Sequence, residues 1–207
     1  MVDYIVIPFV EIEIRLGTML KNKFDSSIDK KYFEKIKETL ESGEWESVTN
    51  KNTVEYCKNS LKFVTDVSTK NSESLLFLKE KVFVKDYQMS FSPFDVRYCI
   101  SQEFKLNSQK SSFSKTDTVL RNKSRKSFTH SDFRYDLTIV NENIDGVIKT
   151  KHEIEIELLV NENTLTWTDN YITDFLECKI FDLINIVEPV EREKINLKVT
   201  ETLNVKS

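Results

Sequence analysis

Two short runs concentrate the carboxylates of this chain: Glu11-Ile12-Glu13-Ile14-Arg15-Leu16-Gly17 and, much later, Glu153-Ile154-Glu155-Ile156-Glu157-Leu158. Alternate side chains of an extended strand point to opposite faces, so Glu11, Glu13 and Arg15 share one face while the isoleucines and Leu16 take the other. Glu153, Glu155 and Glu157 share a face by the same arithmetic. Read alone, either run is an ordinary amphipathic strand with its charged side in water. Two together call for more, because neighbouring carboxylates on one face repel, and a hard divalent cation relieves that repulsion.

A third tract carries positive charge. Arg121, Lys123, Arg125 and Ser127 fall on one face of a strand, Arg134, Asp136 and Thr138 on one face of the next, and Arg97 on the strand before them. Arginine and lysine bind phosphate oxygens, so acidic and basic strands brought together suit a complex of a metal ion with a polyphosphate. Other catalytic templates are absent. His152 precedes Glu153, but no second histidine follows at metalloprotease spacing, and His130 stands alone. Gly17, Gly43 and Gly146 are isolated, so there is no glycine-rich phosphate loop, and no serine occupies a nucleophile elbow.

These residues must be positioned by strands. Period-two patterning and flanking turn residues predict strands over 10–17, 53–58, 62–68, 75–89, 95–106, 118–128, 133–140, 152–160 and 195–203. Helical periodicity predicts an amphipathic helix over 29–41, capped by Ser27 or Asp29 and stopped at Gly43. A second helix is expected from 168 to about 186, opened by Thr168 or Asp169 and ended before Pro189. The loop at 107–114 separates strands without marking a domain boundary. The fold expected is mostly β: a closed antiparallel barrel of about eight strands, the size that still holds a small ligand, with its charged faces inward and its apolar faces outward under a few flanking helices.

Composition bounds the remainder. The 207 residues, 39% hydrophobic, are expected to form one domain over 1–207. The net charge of -4, from 34 acidic and 30 basic residues, gives no global signature of a nucleic-acid binder, so any polyanion site is local. Cys57, Cys99 and Cys178 are odd in number and lack zinc or disulfide spacing, which fits an intracellular, reducing, cytoplasmic compartment. Residues 1–10 have neither a basic leader nor a small-residue cleavage site, and no run reaches 18 apolar residues, so no membrane association is expected. An outer-membrane barrel is also polar inside, but the missing leader, the two helices and the charged outer positions argue against one. The chain has no alanine and only three glycines and three prolines, a mark of AT-rich coding.

The ordered set, Glu-x-Glu-x-Arg first, the basic Arg-x-Lys-x-Arg and Arg-x-Asp-x-Thr tracts in the middle and Glu-x-Glu-x-Glu last, resembles the triphosphate tunnel metalloenzymes. Within them it is most similar to the RNA 5′-triphosphatases of fungal and DNA-virus mRNA capping, and with the AT-rich bias to the N-terminal domain of giant-virus (mimivirus-type) capping enzymes. The resemblance spans Glu11 to Glu157. It implies an Mg²⁺ or Mn²⁺ ion held by Glu11, Glu13 and Glu157, and attacking water oriented by Glu155, with Glu153 beside it. It places Arg97, Lys123 and Arg125 on the γ-phosphate, with Arg15 and Arg121 as further phosphate contacts. Arg134 and Asp136, with Thr138, would support the tunnel. The family's tunnel lysine falls on Lys79 or Lys81, of which Lys81 is carried forward, and Glu103 stands in for a further water-orienting glutamate of fungal members. The implied substrates are 5′-triphosphate RNA and nucleoside triphosphates, and guanylyltransferase and methyltransferase domains are expected to be covalently linked. The rival readings are a tunnel triphosphatase for small molecules (nucleoside triphosphate, tripolyphosphate or thiamine triphosphate) and a non-catalytic polyphosphate-binding module.

Overall fold

A computed structural model describes residues 9–69, 74–90, 92–106, 118–144 and 146–189. The strand expected at 195–203 and the loop at 107–114 lie outside these residues. The elements in chain order are β1 (Val10–Leu20), β2 (Lys23–Asp25), α1 (Lys30–Glu41), β3 (Ser47–Lys58), β4 (Leu61–Asp66), β5 (Ser74–Tyr87), β6 (Asp95–Leu106), β7 (Val119–His130), β8 (Phe133–Ile144), β9 (Val147–Leu158) and α2 (Asp169–Val187).

The strands pair antiparallel in the order β1-β6-β5-β4-β3-β7-β8-β9, and β9 pairs back onto β1, closing a barrel of eight. β2, which the sequence pattern did not reveal, pairs with the far end of β1. Two residues, Lys21 and Asn22, make that turn, both with positive φ, as the tightest right-twisted hairpins require. β3 starts at Ser47, six residues before the expected 53, and its first half is exposed and polar, which is why no alternation marks it.

The alternation on β1 and β9 resolves as charge inside and hydrocarbon outside. Ile12, Ile14, Leu16, Ile154, Ile156 and Leu158 are buried on the outer wall, where they pack with Phe33, Ile36 and Leu40 of α1 and Ile172, Leu176, Ile180 and Leu183 of α2. Each such aliphatic side chain contributes about 1.5–3 kcal/mol by leaving water, so the core lies between barrel and helices and not within the barrel. Local signals fix the helix ends. The Asp29 carboxylate accepts from Lys31 N at 2.8 Å, and the Thr168 hydroxyl accepts from Tyr171 N at 3.3 Å.

Candidate active site

Inside the barrel is a cavity of about 230 Å³ whose lining is mostly ionisable. β1 and β9 supply the acidic wall. Glu13 stands opposite Glu157 in the ladder and Arg15 opposite Glu155, so each pair shares the inner face. Glu11 follows two residues along the same face and Glu153 lies at the other end of its row; all of these side chains line the cavity.

β7 supplies the basic wall. Arg121, Lys123 and Arg125 all face the cavity, and each is met by carboxylate. Arg125 donates from Nη1 to Asp136 Oδ2 and from Nη2 to Glu155 Oε2, both at 2.8 Å, and from Nε to Thr138 Oγ1 at 3.0 Å. Asp136, wholly buried, also accepts from Arg134 Nε at 2.9 Å, and Arg134 reaches on to Glu157. Asp136 and Thr138 therefore do not line the cavity; they hold the arginines that do. Lys123 Nζ lies 2.8 Å from Glu55 Oε2, and Arg121 Nη2 lies 2.8 Å from Glu153 Oε1. The buried Arg15 Nε has no hydrogen-bond acceptor, leaving a donor for an anion's oxygen, whereas Arg121 Nε faces Glu142 Oε1 at 3.4 Å.

The electrostatics divide the carboxylates. Burial would raise the Glu155 carboxyl, but Arg15 and Arg125 on either side, with Lys123 and Lys79 beyond, hold it far below the usual range. Glu157 goes the other way. Burial, with Asp136, Glu11 and Glu13 nearby, pushes it up to about 7 against the pull of Arg134. Glu11 is lowered because Lys79 overcomes its burial. Lys123 is lowered by burial, with Arg121 and Arg125 adding to that and Glu55 opposing it. The cavity thus has one carboxylate whose charge is fully compensated and one whose charge is not.

The structure brings together Glu11, Glu13, Arg15, Glu103, Arg121, Lys123, Arg125, Arg134, Glu153, Glu155 and Glu157 on the cavity lining. It places two expected phosphate ligands elsewhere. Lys81 is exposed, at the register shift between Lys81 and Phe83, and Lys79 takes the place in the tunnel, 2.5 Å from Glu11 Oε2 and 3.5 Å from Glu13 Oε1. Arg97 faces inward but is clamped by Asp86 through Nε and Nη2 at 2.6 and 2.8 Å, over the Phe24 ring, and does not line the cavity. Glu103 lines it, held by Lys62 at 2.7 Å. Glu55 and Lys62 were not singled out in the sequence: neither belongs to a same-sign row like those on β1, β7 and β9, and only ladder register shows that they face the tunnel.

A family model described as mRNA capping enzyme, beta chain, matches residues 17–187. The chain belongs to this family. Members of the mRNA capping enzyme beta-chain family are metal-dependent triphosphatases. Among solved structures, the fold is similar to the S. pombe Pct1 RNA triphosphatase, with a TM-score of 0.70 at 16% identity over 88% of each chain. The same protein in complex with the Spt5 CTD gives 0.68 at 16% identity over 88% of this chain and 90% of that one. The mimivirus capping enzyme triphosphatase gives 0.58 at 16% identity over 90% and 92%. A search of curated protein sequences finds no match.

The capping-enzyme fold explains the inverted barrel, and the acidic wall can be tested against the metal it implies. Among the described residues no three carboxylates converge as a ready-made cluster, because Lys79 holds Glu11 and Glu13 while Arg134 holds Glu157. The donor set nevertheless fits a hard divalent cation. Glu13 and Glu157 are ladder partners, Glu11 shares their face, and burial, with Asp136, Glu11 and Glu13 nearby, pushes Glu157 up against Arg134, the direction a cation bound there would reverse.

Proposed function

We propose that this protein is a metal-dependent polynucleotide 5′-triphosphatase that releases the γ-phosphate of triphosphate-ended RNA, the first step of mRNA cap formation, and that it also accepts nucleoside triphosphates. The observation that carries the reading is the division of one small cavity into a carboxylate group, Glu11, Glu13 and Glu157, of which Glu157 is pushed up, and a facing basic row, Arg121, Lys123 and Arg125.

Phosphoryl transfer needs little covalent chemistry from protein; catalysis is positioning and charge compensation. Mg²⁺ or Mn²⁺ held by Glu11, Glu13 and Glu157 would neutralise charge on a γ-phosphate oxygen. Lys123 and Arg125 contact the equatorial oxygens, while the unpaired Nε of Arg15 donates to a remaining phosphate oxygen and Arg121 adds positive charge beside it. Glu155, ionised at any working pH by its two arginines, accepts a hydrogen bond from the attacking water and aims it in line, with Glu153 beside it. Asp136 and Thr138 keep Arg125 extended across the tunnel. Glu103, tied to Lys62 on the opposite side, is placed to orient water from there. The diphosphate end produced is the substrate of a guanylyltransferase, which, with a methyltransferase, we place on the same polypeptide in an intracellular, reducing compartment.

The test is phosphate release from γ-labelled triphosphate RNA and from ATP, with Mg²⁺, with Mn²⁺ and with chelator, in the unmodified protein and in Glu157→Ala. Release that requires both the metal and Glu157 supports the reading, and the RNA-to-ATP ratio separates it from a small-molecule tunnel enzyme. Triphosphate binding without release in folded, metal-loaded protein would overturn it in favour of a binding module.

A further inference from the structure

The segment after β1 lies across one end of the barrel. Gly17 is on the inner face of β1, and a side chain there would collide with the Phe24 ring and the Asp25 carbonyl, so glycine is what lets β2 fold back at this point. Phe24, 7% exposed, lies beneath the guanidinium of Arg97, 4.6 Å from the ring centre, on the inner face of β6. Two residues on, Ser26 Oγ donates to Glu153 Oε1 at 3.1 Å, on the inner face of β9. The hairpin therefore touches the inward sides of three consecutive strands.

Ion pairs extend this layer in both directions. Asp86 of β5 grips Arg97 on one side. On the other, Glu153 is paired with Arg121 of β7, and Arg121 and Lys151 both approach Glu142 of β8, at 3.4 and 2.8 Å. One continuous layer thus runs through β5, β6, β1, β9, β8 and β7, six of the eight staves, at the same end. Glu11, Glu157 and Arg134 of the cavity lining lie toward the other end of their strands.

We infer that the β1–β2 hairpin, with Phe24 as its plug and Arg97 as a positioning residue above it, closes this end of the tunnel. Substrate enters and both products leave through the opposite mouth, the diphosphate end first and inorganic phosphate last. The order follows from shape: the γ-phosphate enters foremost, and after the β–γ bridging P–O bond breaks, with its electron pair leaving on the diphosphate, the phosphate formed from γ and water sits behind the departing chain. This rests on the triphosphatase reading.

Product inhibition tests it, with triphosphate-ended RNA varied and either inorganic phosphate or diphosphate-ended RNA added. Phosphate should be competitive, changing slopes alone, and diphosphate-ended RNA should change both slope and intercept. Purely competitive inhibition by diphosphate-ended RNA in the unmodified protein overturns the blind tunnel. Phe24→Ala opens the closed end, so the intercept effect of diphosphate-ended RNA should be lost; its persistence in the folded variant overturns the role of the hairpin. Should circular dichroism show that variant unfolded, Arg97→Ala, which frees the ring from above, takes its place with the same two outcomes. No phosphate release from the unmodified protein would instead sink the function reading, and the inference with it.

Discussion

Glu155 and Glu157 sit two residues apart on β9 and project into the same cavity, yet their protonation is driven in opposite directions. Glu155 lies between Arg15 and Arg125, at 2.9 and 2.8 Å, and its charge belongs to a closed ion network. Among the described residues Glu157 pairs with Arg134, and that guanidinium is shared with Asp136. Glu155 is the more buried of the two, so burial alone would raise it further than Glu157, and the difference is made by the neighbours. The tunnel therefore holds two kinds of acid: one that is part of the frame, and one that waits for a cation.

The sharpest break of this contrast is catalytic. Glu157→Ala should reduce phosphate release by about 10³-fold or more, the scale of losing metal-based charge stabilisation, while the protein stays folded by circular dichroism. Near-native turnover would remove Glu157 from the metal set. Stability should show the reverse ranking. Glu155→Gln leaves Arg15 and Arg125 buried without their shared counter-charge, and should cost about 3 kcal/mol, or roughly 6–12 °C in Tm, whereas Glu157→Gln in metal-free protein at pH 8 should be neutral or stabilising.

The pH dependence sharpens the same comparison. Glu157 rises from an ordinary 4.5 to about 7 on folding, so the folded protein binds the extra proton. Metal-free stability should therefore fall as pH rises from 4.5 to about 7, by on the order of 2–3 kcal/mol, then level off. Glu155, depressed on folding, contributes stability that is lost only as pH falls below 4.5, outside that window. Thermal melts across pH 4.5–8 without metal should show this slope, and Glu157→Gln should flatten it. Metal binding near pH 6 should release close to one proton, visible by calorimetry in buffers of different ionisation enthalpy, with affinity rising up to about pH 7. The smallest effect separates two lysines: Lys79→Ala should raise KM several-fold, and Lys81→Ala should leave kinetics within error.

Much of this was legible in the sequence, because an inverted barrel still obeys a period of two. The inner and outer faces of β1, β7, β8 and β9 follow from alternation alone. Lys79 and Lys81 could not be separated that way, since the register shift after Lys81 breaks the alternation the reading depends on. Arg97 shows the other limit. Its inward direction follows from period, but the partners that immobilise it, Asp86 and Phe24, come from β5 and from a three-residue strand that carries no pattern. Glu55 acquires meaning only through β7, its ladder neighbour, with Lys123 across the next rung.

The hydrophobic core covers the barrel unevenly. Among the described residues it draws on β1, β6, β7, β8 and β9 and on both helices, and takes nothing from β3, β4 or β5. Beyond Phe63 of β4 and the Tyr87–Tyr98 contact of β5, those three strands are held mainly by ladder hydrogen bonds and ion pairs. In amide hydrogen exchange they should open as a separate, weaker unit, exchanging well before β1 and β9. The acidic wall is thus built into the slowest-opening part of the molecule, while the wall carrying Glu55, Lys62 and Lys79 can loosen without unseating it.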